Sequence, residues 1–231
     1  MFKLLSYSKY YLAVLFKNWT HRNQSYAQHG EDELIELIFP SGVSSFIDIG
    51  ANDGVLFSNT YKFSQNGAFG LCVEPLRRSF IKLKLNHFLH PKVKCLNAAV
   101  SDFNGCLFIT DEGYESTLSK VSKSISTNAY RVKTFTFDKI LEKYSNFLNV
   151  DLLSVDVEGH EKEVFKGLTN SNFVAKVIVL ESDKSKIDEL LSISSLRFHR
   201  PILYNGLNTI LIHKHEKISL PDNLPAGYER W

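Results

Sequence analysis

The chain has 231 residues, 44% hydrophobic and 23% charged, with a formal net charge of +2, which suits one large domain or one domain with an appendage. Its 17 Phe and 10 Tyr can build a core that folds without disulfides or a structural metal. No dense basic run marks a nucleic-acid face, and Cys72, Cys95 and Cys106 lack CxxC spacing, so they read as small hydrophobes in a reducing cytoplasm.

In chain order, the opening "MFKLLSYSKYYLAVLFKNW" is interrupted by Lys9 and tyrosines and precedes no small-residue cleavage site. It is expected to be neither signal peptide nor membrane span. It reads as an amphipathic helix carrying Lys3, Lys9 and Lys17, with Arg22 beyond it and no acid before Glu31. Such a helix either packs on the domain edge or touches the inner face of an anionic membrane; edge packing is the commoner use. Residues 1–24 are therefore expected to form an extension, and residues 25–231 the domain.

From about residue 25, strand and helix patterns alternate. "DELIELIF" has helical spacing and stops before Pro40. "SSFIDIG" reads as a buried strand, "TYKFSQNG" as a helix, and "AFGLCVEP" as a second strand closed by Pro75. "LRRSFIKLKLNHF" is an expected helix and "KVKCLNAAVSD" a third strand. "GCLFITDEGYESTLSK" and "YRVKTFTFD" read as two extra strands around a Ser/Thr-rich loop that holds Ser116 and Thr117. Asp138 is expected to cap "KILEKYSNF". The buried strand "LLSVDVEG" leads to the helix "HEKEVFKGL", and "AKVIVLES" leads to "KSKIDELLSI". "FHRPILYNGLNTILIHK" reads as a hairpin about Asn205-Gly206. This alternation predicts an α/β fold with a mostly parallel sheet covered on both faces and closed by an antiparallel hairpin.

In open α/β sheets, ligands bind at the carboxyl ends of the strands, where this chain places "DIGANDG": Asp48, Gly50, Ala51, Asn52, Asp53 and Gly54. A pyrophosphate-binding loop wants G-x-G-x-x-G, but Asn52 holds the middle glycine position and two carboxylates flank the loop. Those acids repel phosphate and suit a cationic nucleoside such as S-adenosylmethionine. Glu74 ends the second strand, where an acid accepts hydrogen bonds from ribose hydroxyls.

The motifs "YAQHGEDELI", "FIDIGANDGVLFSNT", "LCVEP", "NAAVSD", "ESTL", "FTFDKIL" and "LLSVDVEGHE", in this order, resemble the FkbM family of S-adenosylmethionine-dependent methyltransferases. The resemblance spans roughly residues 25 to 212. It implies a class I, Rossmann-like fold with a seven-stranded sheet, and O-methylation of sugars, glycans or natural products. It also implies that Asp48, Gly50, Asn52, Asp53 and Glu74 line the cofactor site, that Ala98 lies near the adenine, and that Gln28 and the following "GED" close the amino-acid end.

A hydroxyl acceptor must lose its proton, which calls for a base or a metal. Asp156, Glu158 and His160 in "SVDVEGHE" form the densest ionisable cluster at a predicted strand end, Asp156 and Glu158 being expected on one side of the strand. Asp156 or His160 as general base is favoured over a hard divalent cation held by Asp156 and Glu158. In a purely structural reading, Glu161 and Glu163 favour a helix N-terminus. Glu181 is a weaker candidate for facing substrate. The other histidines lack metal spacing. The rival functions are a scaffold that binds the cofactor without turnover and a nicotinamide oxidoreductase; the acidic loop disfavours the latter.

Overall fold

The computed structural model describes residues 25–110, 129–170, 172–218, 220 and 224–231. The expected N-terminal helix, Ser116 and Thr117 lie outside these residues. Helix α1 (Glu31–Ile38) precedes β1 (Ser45–Ile49), α2 (Tyr61–Gln65), β2 (Phe69–Val73), α3 (Arg77–Asn86) and β3 (Val93–Leu96). Short strands β4 (Ala99–Ser101), β5 (Gly105–Thr110) and β6 (Ala129–Thr136) follow, then α4 (Phe137–Lys143), β7 (Asn149–Val155) and α5 (Glu161–Lys166). The chain ends with β8 (Val174–Glu181), α6 (Lys184–Leu191), β9 (His199–Tyr204), β10 (Asn208–His213) and β11 (Glu229–Arg230).

The main sheet runs β11-β9-β10-β8-β7-β1-β2-β3. From β8 to β3 all neighbours are parallel, whereas β10 runs antiparallel to both β8 and β9. The hairpin at Asn205-Gly206 is thus present, and β11 adds an edge strand too short to leave a periodic signal. Successive residues of β1 supply opposite faces: Phe46 packs with Leu34, Phe63 and Leu152, while Ile47 packs with Leu71, Phe137 and Leu153. A parallel sheet buried on both sides needs such near-continuous apolar strands. Strand order reverses at β1, between β2 and β7, which places a crevice above the loop after β1.

Two expected elements differ. "KVKCLNAAVSD" breaks into β3 and β4, and β4 joins a separate sheet of order β4-β6-β5. The Asn97 side-chain amide donates to the carbonyls of Glu74 (2.8 Å) and Pro75 (2.9 Å), and the strand breaks there. Thr136, rather than Asp138, caps α4, its hydroxyl accepting from the Lys139 N–H at 3.2 Å. Asp138 instead accepts from the N–H groups of Thr169 and Asn170 at 2.9 and 3.0 Å. Among the described residues, no helix is long and apolar enough to cross a membrane.

Candidate active site

The loop after β1 is held by backbone geometry that few residues adopt. Gly50 has φ +91°, Asn52 φ 48° and Gly54 φ +78°, left-handed values that glycine and asparagine tolerate best. A Cβ on Gly50 would lie 1.7 Å from the Asp156 carbonyl oxygen, so the ends of β1 and β7 touch here. The Gly50 and Ala51 N–H groups both donate to the Val73 carbonyl, at 3.0 and 3.1 Å, tying the loop to β2.

Three acids shape this end of the sheet. Asp48 accepts from the Thr60 hydroxyl at 2.6 Å and hydrogen-bonds Ser154, which accepts from the Asn59 amide at 3.1 Å. Burial outweighs those bonds and pushes the Asp48 carboxyl up to about 6. Asp53 turns back on its own loop, one oxygen accepting from Val55 and Leu56 N–H at 2.9 Å each. Glu74 accepts from Asn52 N–H at 3.0 Å and Leu76 N–H at 2.7 Å. Its burial, with smaller contributions from the charges of Asp48 and Asp53, pushes it up to about 8.

These groups open onto a cleft of about 660 Å³, within the roughly 300–1,000 Å³ usual for small-molecule sites. Gln28, residues 48–53, Glu74 and Ala98 border it together, whereas Glu31 and Asp32 of the expected "GED" segment do not. Leu76, Ala98, Leu107 and Ile109 make an apolar wall near Glu74, the last two from β5. Arg78 and Lys82 also reach the cleft from α3, and the sequence reading had not singled them out.

At the other end, Asp156, Glu158, His160 and Glu181 line the same cleft. Strand β7 stops at Val155, so the pleat does not align Asp156 with Glu158. A turn does so instead: Glu158 has φ 56° and Gly159 φ 93°, and a non-glycine residue held so is strained by about 1–3 kcal/mol. Glu161 secures the turn by accepting from the N–H groups of Val157 (3.3 Å) and Gly159 (3.0 Å). Carboxylate oxygens of Asp156, Glu158 and Glu181 all lie within 4.8 Å of one another.

Asp156 hydrogen-bonds Glu181, so the two hold a proton between them. Protein surrounds Asp156 while its side chain stays open to the cleft, and the desolvation there raises the pair above the ordinary carboxylate range. His160 is engaged on both sides: Nε2 lies 2.9 Å from the Ser101 hydroxyl and Nδ1 lies 3.5 Å from Glu163. Glu31 and Asp32 of the "GED" segment turn inward rather than towards the cleft. Glu31 accepts from the side-chain amides of Asn205 and Asn208 at 2.7 Å each, and Asp32 from Tyr26 N–H at 2.7 Å. Thr60 and Ser154 were missed as supports of Asp48. Their signal was present in Ser154, a hydroxyl between Leu153 and Val155 at the buried end of β7.

A parallel sheet reversing at β1, closed by an antiparallel hairpin and carrying this cleft at its carboxyl edge, is the arrangement of a class I methyltransferase. The family model "Methyltransferase FkbM domain" matches residues 48–205, more than half of the chain. The chain belongs to this family of S-adenosylmethionine-dependent methyltransferases. No curated protein matches it. Among solved structures, an FkbM methyltransferase from Methylobacillus flagellatus is 11% identical with a TM-score of 0.48, over 74% of this chain and 43% of that one. This chain thus spans less than half the length of that relative. A TehB-like S-adenosylmethionine-dependent methyltransferase from Corynebacterium glutamicum is 10% identical, with a TM-score of 0.47, over 90% and 98% of the two chains. A candidate caffeoyl-CoA O-methyltransferase from Staphylococcus aureus is 9% identical, with a TM-score of 0.49, over 91% and 97%.

The cleft suits the family's cofactor on its own chemistry. It offers an apolar wall for a base, a buried carboxyl for hydroxyl donors, and acids where an ammonium and a sulfonium would lie.

Proposed function

We propose that the protein methylates a hydroxyl of a sugar, glycan or related small molecule. The observation that carries this reading is Asp156, open to the cleft, hydrogen-bonded to Glu181 and in backbone contact with the loop after β1. Bound S-adenosylmethionine supplies a methyl group already activated by a sulfonium. Glu74 and the backbone of residues 50–52 hold the nucleoside, and the wall of Leu76, Ala98 and Ile109 takes the base. Gln28 closes the end nearest the acids.

Asp156 holds the acceptor hydroxyl and takes its proton as the oxygen–methyl bond forms. Glu181 orients Asp156 through their shared hydrogen bond, and Glu158 accepts from a neighbouring acceptor hydroxyl. His160 serves as a positioning residue, because Ser101 and Glu163 already engage both of its nitrogens. A divalent cation is the rival arrangement, because Asp156, Glu158 and Glu181 offer three carboxylate oxygens within 4.8 Å of one another, and the EDTA arm of the assay below separates the two.

The reading is tested with methyl-labelled S-adenosylmethionine and a panel of free sugars, glycosides, phenols and primary amines, each with and without EDTA. Label on sugar oxygen, insensitive to EDTA, is expected. Label confined to nitrogen, or activity abolished by EDTA and restored by magnesium, would sink the assignment.

A further inference from the structure

The turn after α3 carries a surface for which the cleft has no use. Phe88 and Leu89 are 79% and 81% exposed, the highest values among the exposed large hydrophobics of the described residues. Leu85, in the last turn of α3, and Phe69, at the start of β2, are exposed as well. Lys92 links the two segments: its ammonium lies 4.9 Å from the centre of the Phe69 ring and donates to the Gly67 carbonyl at 2.9 Å. Lys84, Lys92 and Lys94 are all exposed, and the chain has no acidic residue between Glu74 and Asp102.

Two large side chains four-fifths in water on one turn project rather than line a groove. An interfacial lipid layer accepts projecting apolar groups without a preformed pocket, and a lysine rim without acids favours a bilayer of negative surface potential. A second copy of the chain is a poorer occupant, because it would bring the same positive rim against this one. We propose that this turn docks the protein on an anionic bilayer, with Phe88 and Leu89 in the headgroup region and Lys84, Lys92 and Lys94 against lipid phosphates. The cleft-lining Arg78 and Lys82 stand on the same helix, whose 10 residues span about 15 Å.

The test is co-sedimentation of the full chain with vesicles of phosphatidylcholine alone and of an equal mixture with phosphatidylglycerol. Binding to the mixed vesicles, weakened by salt, is expected. The double variant F88S/L89S should lose at least about tenfold in affinity, and K84Q/K94Q should lose a comparable factor on mixed vesicles alone. Both variants should keep the wild-type thermal midpoint and S-adenosylhomocysteine affinity, so a failure of the cofactor reading would show separately. Vesicle binding unchanged in both variants would place any membrane contact elsewhere, in residues 1–24 for example, and overturn the proposal. So would wild-type protein that ignores mixed vesicles, or that forms a dimer in ultracentrifugation which F88S/L89S dissolves.

Discussion

Glu74 offers the sharpest test of the cofactor site, because its charge state and its expected partner are linked. In the ligand-free protein its carboxyl is pushed from 4.5 up to about 8 by burial, so ionising it there costs on the order of 5 kcal/mol more than in water. The sign follows. A carboxyl raised on folding contributes stability that is full below about 4.5 and is lost as pH rises through about 8. Ribose hydroxyls would donate to the carboxylate and favour the ionised form. The ionised share rises from roughly one in a hundred at pH 6 to half at pH 8, so affinity should rise about fiftyfold over that interval. Asp48, pushed to about 6, is already half ionised at the start of that interval and adds at most about a factor of two. The measurement is calorimetric titration with S-adenosylhomocysteine from pH 6 to 8.5, on wild type and Glu74→Gln. The variant should bind weakly at every pH. It should also lose about 1–3 kcal/mol of stability, because its amide faces one of the two N–H donors of Asn52 and Leu76. A flat wild-type profile, or an E74Q profile with the same slope, would refute the reasoning.

Asp156→Asn should bind S-adenosylhomocysteine within a few-fold of wild type yet turn over about 100- to 10,000-fold more slowly, by label transfer to the identified acceptor; full activity would remove Asp156 from the chemistry. Gly50→Ala combines a φ of +91° with a Cβ 1.7 Å from the Asp156 carbonyl oxygen, so urea unfolding should show a loss of at least about 3 kcal/mol. Burial depresses the imidazoles of His87 to about 3 and His199 to about 4. Their contribution to stability is full above about 6.5 and is lost as pH falls through those values, while the raised carboxyls gain over the same interval; the difference in thermal midpoint between wild type and His199→Gln should therefore narrow from pH 6.5 to 4. A difference constant over that range would contradict a neutral buried imidazole at His199.

Local chemistry made the loop after β1 legible: Gly50, Asn52 and Gly54 stand at the left-handed positions, and a polar run follows an apolar strand. The alternation of strands and helices foretold the sheet for the same reason, since each buried strand needs a covering helix. What the sequence hid was set by distant partners. The break at Asn97 depends on carbonyls of Glu74 and Pro75, more than twenty residues earlier. Glu31 looked like a cofactor contact but pairs with Asn205 and Asn208, which the hairpin brings to it. The proximity of Asp156 and Glu158 was foreseen, though not its cause, because pleat alternation ended one residue early and a left-handed turn replaced it. Glu181 looked weak because its importance lies in register: Val155 pairs with Leu180, so the next step along each strand brings Asp156 beside Glu181.

That register has a wider consequence. In the order β2-β1-β7-β8, four adjacent strands each carry a carboxyl at or just past the carboxyl end: Glu74, Asp48, Asp156 and Glu181. All four are raised above their ordinary range, with burial the largest cause in each. Such a row weakens the ligand-free fold above neutrality, and a ligand bearing ammonium and sulfonium charge would relieve it. If function keeps the row at the expense of stability, neutralising one member should stabilise the fold while impairing the reaction. Glu181→Gln is the cleanest case, because its amide donates to Asp156 and keeps their contact. Its thermal midpoint at pH 8 should exceed wild type, by about 2–4 °C for each kcal/mol of relieved repulsion in a chain of this size. Turnover should fall, and at pH 5, where the carboxyls are protonated, the stability gain should vanish. A midpoint below wild type at pH 8 would mean that Glu181 supports the fold, and the row would lose its meaning as a strained site.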